Sequence, residues 1–241
     1  MTLCEVRCLG RVPYAEAWEL QKQLAAQRAA GEIPDTLLLL EHPHTYTFGR
    51  KGQAENLLLD EAALAARGIE VHWVDRGGDV TYHGPGQLVG YPIMQLGTPA
   101  NVTSPRIPQA DYVGYVRRLE AMLIRACARF GVIAGQMAGL TGVWVQPPSA
   151  RLAPSKIAAI GVKVDARGIS QHGFALNVAP DMDHWNGIIG CGLKEHASIS
   201  LAELLDPAPA MEAVMDEVMR QFGAVFEREM ALRQPARSRQ I

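Results

Sequence analysis

The chain has 241 residues, 48% of them apolar and 20% charged, with a net charge of -2 when histidine is neutral. That size and balance suit a globular protein with a sizeable core. They exclude the basic excess of a nucleic-acid binder and the acidic runs of a disordered tail, and no apolar stretch reaches the roughly 18 residues of a membrane helix.

The first stretch, MTLCEVRCLGRVPY, lacks the apolar centre of a secretory leader and carries Glu5 early, so the expected compartment is the cytoplasm. Cys4 and Cys8 are expected on an edge strand. With Cys127 and Cys191 they are too few and too uneven for a disulfide framework, and their spacing offers no metal site. A helix shorter than the two long ones further along is expected after Pro13, through Trp18, Leu20 and Leu24. Strand-like runs follow: TLLLLEH, IEVHWV, DVTYH and LVGYPI.

From Tyr112 the apolar residues Tyr115, Val116, Leu119, Leu123, Ala126, Cys127 and Phe130 recur at helical spacing, which makes Cys127 a core residue. GVWVQ is the next strand, QPPSARLAPS (residues 146–155) a surface loop, and KIAAIGVKV and ISQHGFALNV a hairpin across Asp165–Gly168. If Val164 faces Ile169 in that hairpin, Gly161 faces His172, Ala159 faces Phe174 and Lys156 faces Asn177. A second long helix carries Met211, Val214, Met215, Val218, Met219, Phe222, Val225 and Phe226; its methionines are packing residues. Strands dominate the middle and long helices follow, so the fold class is α+β with a mainly antiparallel sheet. Residues 1–232 are expected to form a single domain and 233–241 a frayed tail.

Three places could carry chemistry. In RGGDVTYHGPGQL, alternation puts Asp79, Thr81 and His83 on one strand face and Val80 and Tyr82 on the other. Gly77 and Gly78 permit a close backbone approach, although a glycine-twisted hairpin fits the spacing as well. No Gly-Lys-Ser/Thr follows, so it is not a phosphate loop. Lys156 opens an otherwise apolar strand: either it snorkels to solvent, or desolvation prepares it to act as a base. Cys191 stands between glycines in NGIIGCGLKEH, an incidental loop thiol or a nucleophile suited to thioesters. Of the histidines, His83 and His172 are the best candidates, both at glycine-rich strand ends.

Together these residues resemble a known family. Arg76-Gly77-Gly78, Thr81-Tyr82-His83-Gly84-Pro85-Gly86-Gln87-Leu88 and Tyr91-Pro92 are similar to the signature of the lipoyl(octanoyl) transferases. Glu41-His42-Pro43 with Tyr46-Thr47 and Gly49, the Lys156–Gly161 strand, His172–Asn177 and Cys191-Gly192-Leu193 match further segments in the same order. One position departs: Gly190 stands where the family usually has proline before the cysteine.

The resemblance implies a biotin/lipoate ligase-like transferase fold, α+β, with a central mixed, mostly antiparallel sheet and flanking helices. It implies an octanoyltransferase: octanoyl-acyl carrier protein as donor, and as acceptors apo lipoyl domains of 2-oxoacid dehydrogenase complexes and the glycine cleavage H protein. Cys191 would be the nucleophile and Lys156 the acid/base, with no cofactor, metal, nucleic acid or membrane involved. Arg76, Gly77, Gly78, Asp79, Val80, Thr81, Tyr82 and His83 would form one wall of the acyl pocket, with His83 close to the reacting carbonyl. Ala159, Ile160 and Gly161 with Gly173, Phe174 and Ala175 would form the other. An ATP-dependent lipoate or biotin ligase of the same fold, or a non-catalytic acyl-binding module, are the alternatives.

Overall fold

The computed structural model describes residues 1–97, 111–146, 153–190 and 196–233. In chain order the elements are β1 (Thr2–Arg11), α1 (Tyr14–Ala29), β2 (Asp35–Glu41), β3 (Thr45–Phe48), α2 (Glu61–Ala66), β4 (Glu70–Trp73), β5 (Val80–His83) and β6 (Gln87–Ile93). Then come α3 (Tyr112–Arg129), β7 (Ala134–Met137), β8 (Leu140–Val145), β9 (Ser155–Val164), β10 (Ser170–Asn177), α4 (Leu201–Leu204), α5 (Met211–Phe226) and β11 (Arg228–Leu232).

Among the described residues the strands build a large sheet in the order β11-β1-β2-β6-β10-β9-β8-β7 and a small one in the order β4-β3-β5. The β11-β1-β2 end of the large sheet is parallel and the rest antiparallel. The fold is therefore α+β with a mixed, mostly antiparallel sheet.

Helices α3 and α5 cover one face of that sheet. Their buried stripes, Tyr115, Leu119, Met122, Leu123, Ala126 and Cys127 on α3 and Val214, Val218, Phe222 and Phe226 on α5, lie in one core with Leu37, Leu39, Val143, Ile157 and Ala158. The start of α3 is fixed by Asp111, whose side chain accepts from the Gly114 N–H at 2.7 Å. Helix α1 covers the other face, packing Ala17, Leu24 and Ala25 against Leu38, Leu40, Tyr91 and Ala175. The small sheet has its own core of Tyr46, Phe48, Leu64, Ile69, Val80, Tyr82 and Ile188.

Three expectations are corrected. The helix after Pro13 is not shorter than both long helices: α1 runs for 16 residues, as many as α5, and its buried face is Tyr14, Ala17, Gln21, Leu24 and Ala25. Two of those positions are polar or hydroxylated, so the apolar stripe that marks a helix in sequence is faint. Cys4 and Cys8 are not on an edge strand, because β1 lies between β2 and β11; Cys4 is fully buried and Cys8 exposed. The β9–β10 register is displaced by one residue: Val164 pairs with Ser170, Gly161 with Gly173 and Ala159 with Ala175.

The loop explains that displacement. Gly168 takes φ +81°, Asp165 receives the Arg167 and Ile169 N–H groups on its carboxylate, and Ile169 bridges to Gln95 at the end of β6. The Asp165 carbonyl accepts the Gly168 N–H and the Asp165 N–H donates to the Ile169 carbonyl, so Asp165 faces Ile169 and the turn holds three residues instead of four. Most of the surface loop 146–155 and the tail after 233 lie outside the described residues. Among the described residues no helix is long and apolar enough to cross a membrane.

Candidate active site

The segment 76–83 bridges the two sheets. Arg76 is buried at 7% exposure and donates through one nitrogen to the Gly77 carbonyl at 2.9 Å and through the other to the Thr47 carbonyl at 2.5 Å and hydroxyl at 2.9 Å. The Gly77 N–H reaches the Val162 carbonyl of β9 at 3.0 Å, and Gly78 takes φ +87°. This clamps the loop between β3 and β9. A Cβ on Gly161 would stand 3.0 Å from both Arg76 Cδ and the Gly77 carbonyl, so the strand has glycine where the arginine loop crosses it. Gly161→Val is expected to destabilise the protein by about 1–3 kcal/mol, read as a lowered Tm in thermal unfolding.

Strand β5 then alternates as its sequence requires. Val80 and Tyr82 enter the core of the small sheet. Thr81 and His83 face a cavity of about 40 Å³ lined also by Arg76, Gly78, Ala159, Ile160, Gly161, Gly173, Phe174 and Ala175. Asp79 is used elsewhere: its carboxylate receives the Gln53 N–H at 3.2 Å, the Asn56 amide at 2.5 Å and the Val80 N–H at 2.7 Å, tying β5 to the turn before α2. So ten of the named wall residues meet around one cavity, while Gly77, Asp79, Val80 and Tyr82 hold the scaffold behind it.

Tyr14, Tyr91 and His172 complete the lining. Sequence reasoning missed Tyr14 as a lining residue, because nothing in its spacing separates it from a core tyrosine at a helix start. Tyr91 could have been found from its place beside Pro92 in the signature. His172 was singled out only as a candidate histidine; its backbone sits in the left-handed region at φ 55°, with its N–H bonded to Gln21 Oε1 at 2.7 Å.

The hydrogen bonds fix the tautomers of three buried histidines. Gln87 donates its amide to the Tyr82 carbonyl and to Asn177 Oδ1, so its Oε1 accepts from His83 Nδ1–H at 2.8 Å. His42 donates from Nδ1 to the Val12 carbonyl at 2.7 Å and accepts the Tyr91 hydroxyl at Nε2, also at 2.7 Å. His172 donates from Nε2 to Asp75 Oδ1 at 2.9 Å, which leaves Nδ1 to accept from the Tyr14 hydroxyl at 3.5 Å.

Burial is the first cause that lowers all three pKa values, His42 to about 4 and His83 well below the usual imidazole range; for His172 the Asp75 carboxylate opposes it. Asp75 is held far below the usual carboxylate range, first by the His172 hydrogen bond and then by Lys163 at 2.5 Å. At neutral pH the imidazoles are uncharged and both nitrogens of each ring have a hydrogen-bond partner, whereas Thr81 Oγ1 in the same lining is buried without one among the described residues.

Lys156 lies near the other end of β9, 8% exposed, with Nζ 4.7 Å from the Trp144 ring centroid. Its backbone is pinned to Ala197 and Ile199 at 2.9 and 3.0 Å. It lines a second cavity, of about 430 Å³, with Trp144, Trp185, Ile189, Gly190 and His196. Cys191 lies outside the described residues; Gly190, its chain neighbour, is on the rim of this cavity. Strand β9 thus joins two cavities, one bordered by a lysine and the other apolar along its glycine-alanine wall.

Residues 13–223 match the family model for the lipoyl protein ligase A/B catalytic domain. An octanoyltransferase of Chloroflexus aurantiacus is 46% identical over 229 residues, covering 95% of this chain and 96% of that one. The chain belongs to the octanoyltransferases. An octanoyltransferase of Acidobacterium capsulatum is 49% identical over 220 residues, 90% of this chain and 88% of that one. The fold is shared more widely. A bipartite lipoate protein ligase from Thermoplasma acidophilum superposes with a TM-score of 0.69 at 16% identity, over 98% of this chain and 87% of that one. Lipoate-protein ligase A bound with ATP superposes with a TM-score of 0.68, also at 16% identity, over 97% of this chain and 88% of that one. As an octanoyltransferase the chain is an acyltransferase built on a ligase-like frame.

Proposed function

We propose that this protein carries octanoyl groups from octanoyl-acyl carrier protein to the ε-amine of a lysine on apo lipoyl domains, those of 2-oxoacid dehydrogenase complexes and the glycine cleavage H protein, as the first step of protein lipoylation. The Cys191 thiolate attacks the donor thioester; the C–S bond to the carrier breaks and the carrier thiol leaves with the proton. The acceptor amine then attacks octanoyl-Cys191, an amide forms and the Cys191 thiol is regenerated. Lys156 takes the thiol proton, returns it to the leaving carrier thiol, and later accepts a proton from the incoming amine. Thioester exchange is near balance and amide formation runs downhill, so no cofactor or ATP is required.

The observation that carries this reading is the layout of β9. Lys156 stands near its start, beside the cavity that Gly190 borders, and Ala159–Gly161 follow on the same strand as a wall of the narrow cavity. An acyl chain bound there would bury its methylenes between Ala159–Gly161 and Gly173–Ala175 on one side and Gly78, Thr81 and His83 on the other. At about 0.8 kcal/mol per methylene this supplies several kcal/mol, enough to keep the intermediate in place while carriers exchange.

The test is intact mass after incubation with octanoyl-acyl carrier protein alone. One octanoyl adduct is expected, removed by hydroxylamine and absent from Cys191→Ser. Modification of a lipoyl domain from free octanoate and ATP, with no adduct on the enzyme, would assign the protein to the ATP-dependent ligases instead.

A further inference from the structure

We infer that Tyr14, held by His172 and Asp75, closes the far end of the acyl cavity and sets the length of chain this enzyme accepts. The inference rests on the reading that the narrow cavity holds the acyl chain with its carbonyl toward Lys156.

The β9–β10 register gives the cavity a direction. Its rungs, counted away from Lys156, are Ala159–Ala175, Ile160–Phe174 and Gly161–Gly173. The next rung pairs Val162 with His172, and there β9 leaves the lining while His172 remains in it. Lys156 to Gly161 is about 16 Å at roughly 3.3 Å per residue, the scale of a lysine stem and an eight-carbon chain laid end to end. At the His172 rung the Tyr14 hydroxyl bonds His172 Nδ1, Asp75 holds Nε2, and Lys163 holds Asp75.

The Tyr14 ring is 1% exposed and stacks on His83 and His72 at 5.8 and 5.3 Å between centroids. With the chain in that direction, His83, stacked on Tyr14, would lie toward its tail end. Because the His83 and His172 ring nitrogens and the Tyr14 hydroxyl are already bonded within the protein, these rings present their faces to an alkyl end at little cost. A longer chain gains about four-fold in binding per methylene, but only by displacing Tyr14 from His172 and leaving both bonded groups buried and unpaired.

The test compares kcat/KM for octanoyl-, decanoyl- and dodecanoyl-acyl carrier protein in the wild type, Tyr14→Ala and the less disruptive Tyr14→Leu, with Tm checked for each. The decanoyl-to-octanoyl ratio is expected to rise at least ten-fold in Tyr14→Ala, and by less in Tyr14→Leu. If a folded variant loses activity equally on all donors, or keeps the wild-type ratio, Tyr14 does not set chain length. If the wild type itself acquires no octanoyl adduct on Cys191, the acyl-enzyme reading falls first, and this inference with it.

Discussion

Lys156→Met is expected to lower kcat/KM for octanoyl transfer about 10²–10⁴-fold, the range for removal of a positioned general acid–base. Methionine keeps the buried stem against Trp144, and the backbone bonds to Ala197 and Ile199 do not involve the side chain, so the fold should hold. The residual rate should depend on pH in a diagnostic way. Without a base, acylation follows the fraction of Cys191 already ionised and so rises with pH. Cys191→Ala should leave no adduct at any pH. Lys156→Arg separates the two jobs of the lysine, because arginine keeps the charge but cannot accept a proton. Recovery in Lys156→Arg would make the role electrostatic, and a rate within a few-fold of wild type in Lys156→Met would remove Lys156 from the mechanism.

The second large effect is on stability in mild acid. His42, His83 and His172 are buried neutral, each with its pKa below that of the unfolded chain. Below about pH 6.5 the unfolded chain binds protons that the folded protein refuses, so lowering the pH favours unfolding. The stability is complete above pH 6.5 and lost progressively as pH falls toward the folded values. For His42, whose pKa moves from 6.5 to about 4, the loss reaches about 3 kcal/mol by pH 4; the other two act in the same direction. Asp75, with its lowered pKa, adds a further loss only below the unfolded carboxylate value near 4. Denaturant titrations at pH 7 and 4.5 should show a drop of this order. His42→Gln can still accept from the Tyr91 hydroxyl and donate to the Val12 carbonyl but does not titrate, so it should flatten the dependence. An unchanged slope in that variant would place the acid sensitivity elsewhere.

What the sequence by itself determined follows from short-range rules. Helical spacing located α3 and α5 and the core position of Cys127, and period-two alternation sent Thr81 and His83 one way and Val80 and Tyr82 the other. The order of the Arg76–Leu88, Lys156–Gly161, His172–Asn177 and Cys191 segments was specific enough to reach the octanoyltransferases. The tertiary structure decided what depends on contacts distant in sequence. Asp79 turned to the Asn56 turn because its bonding partners lie over twenty residues earlier. The β9–β10 loop closed on the Asp165–Ile169 pair, leaving three residues in the turn instead of four, and Ile169 also bridges to Gln95, a contact distant in sequence. Tyr14 lines the cavity because α1 packs across the strands that carry His172 and Tyr91, and a faintly amphipathic helix gives no sign of which of its residues will meet a site 158 positions away. Alternation and helical period are properties of neighbouring residues; the partner that satisfies a buried polar group is a property of the packed whole.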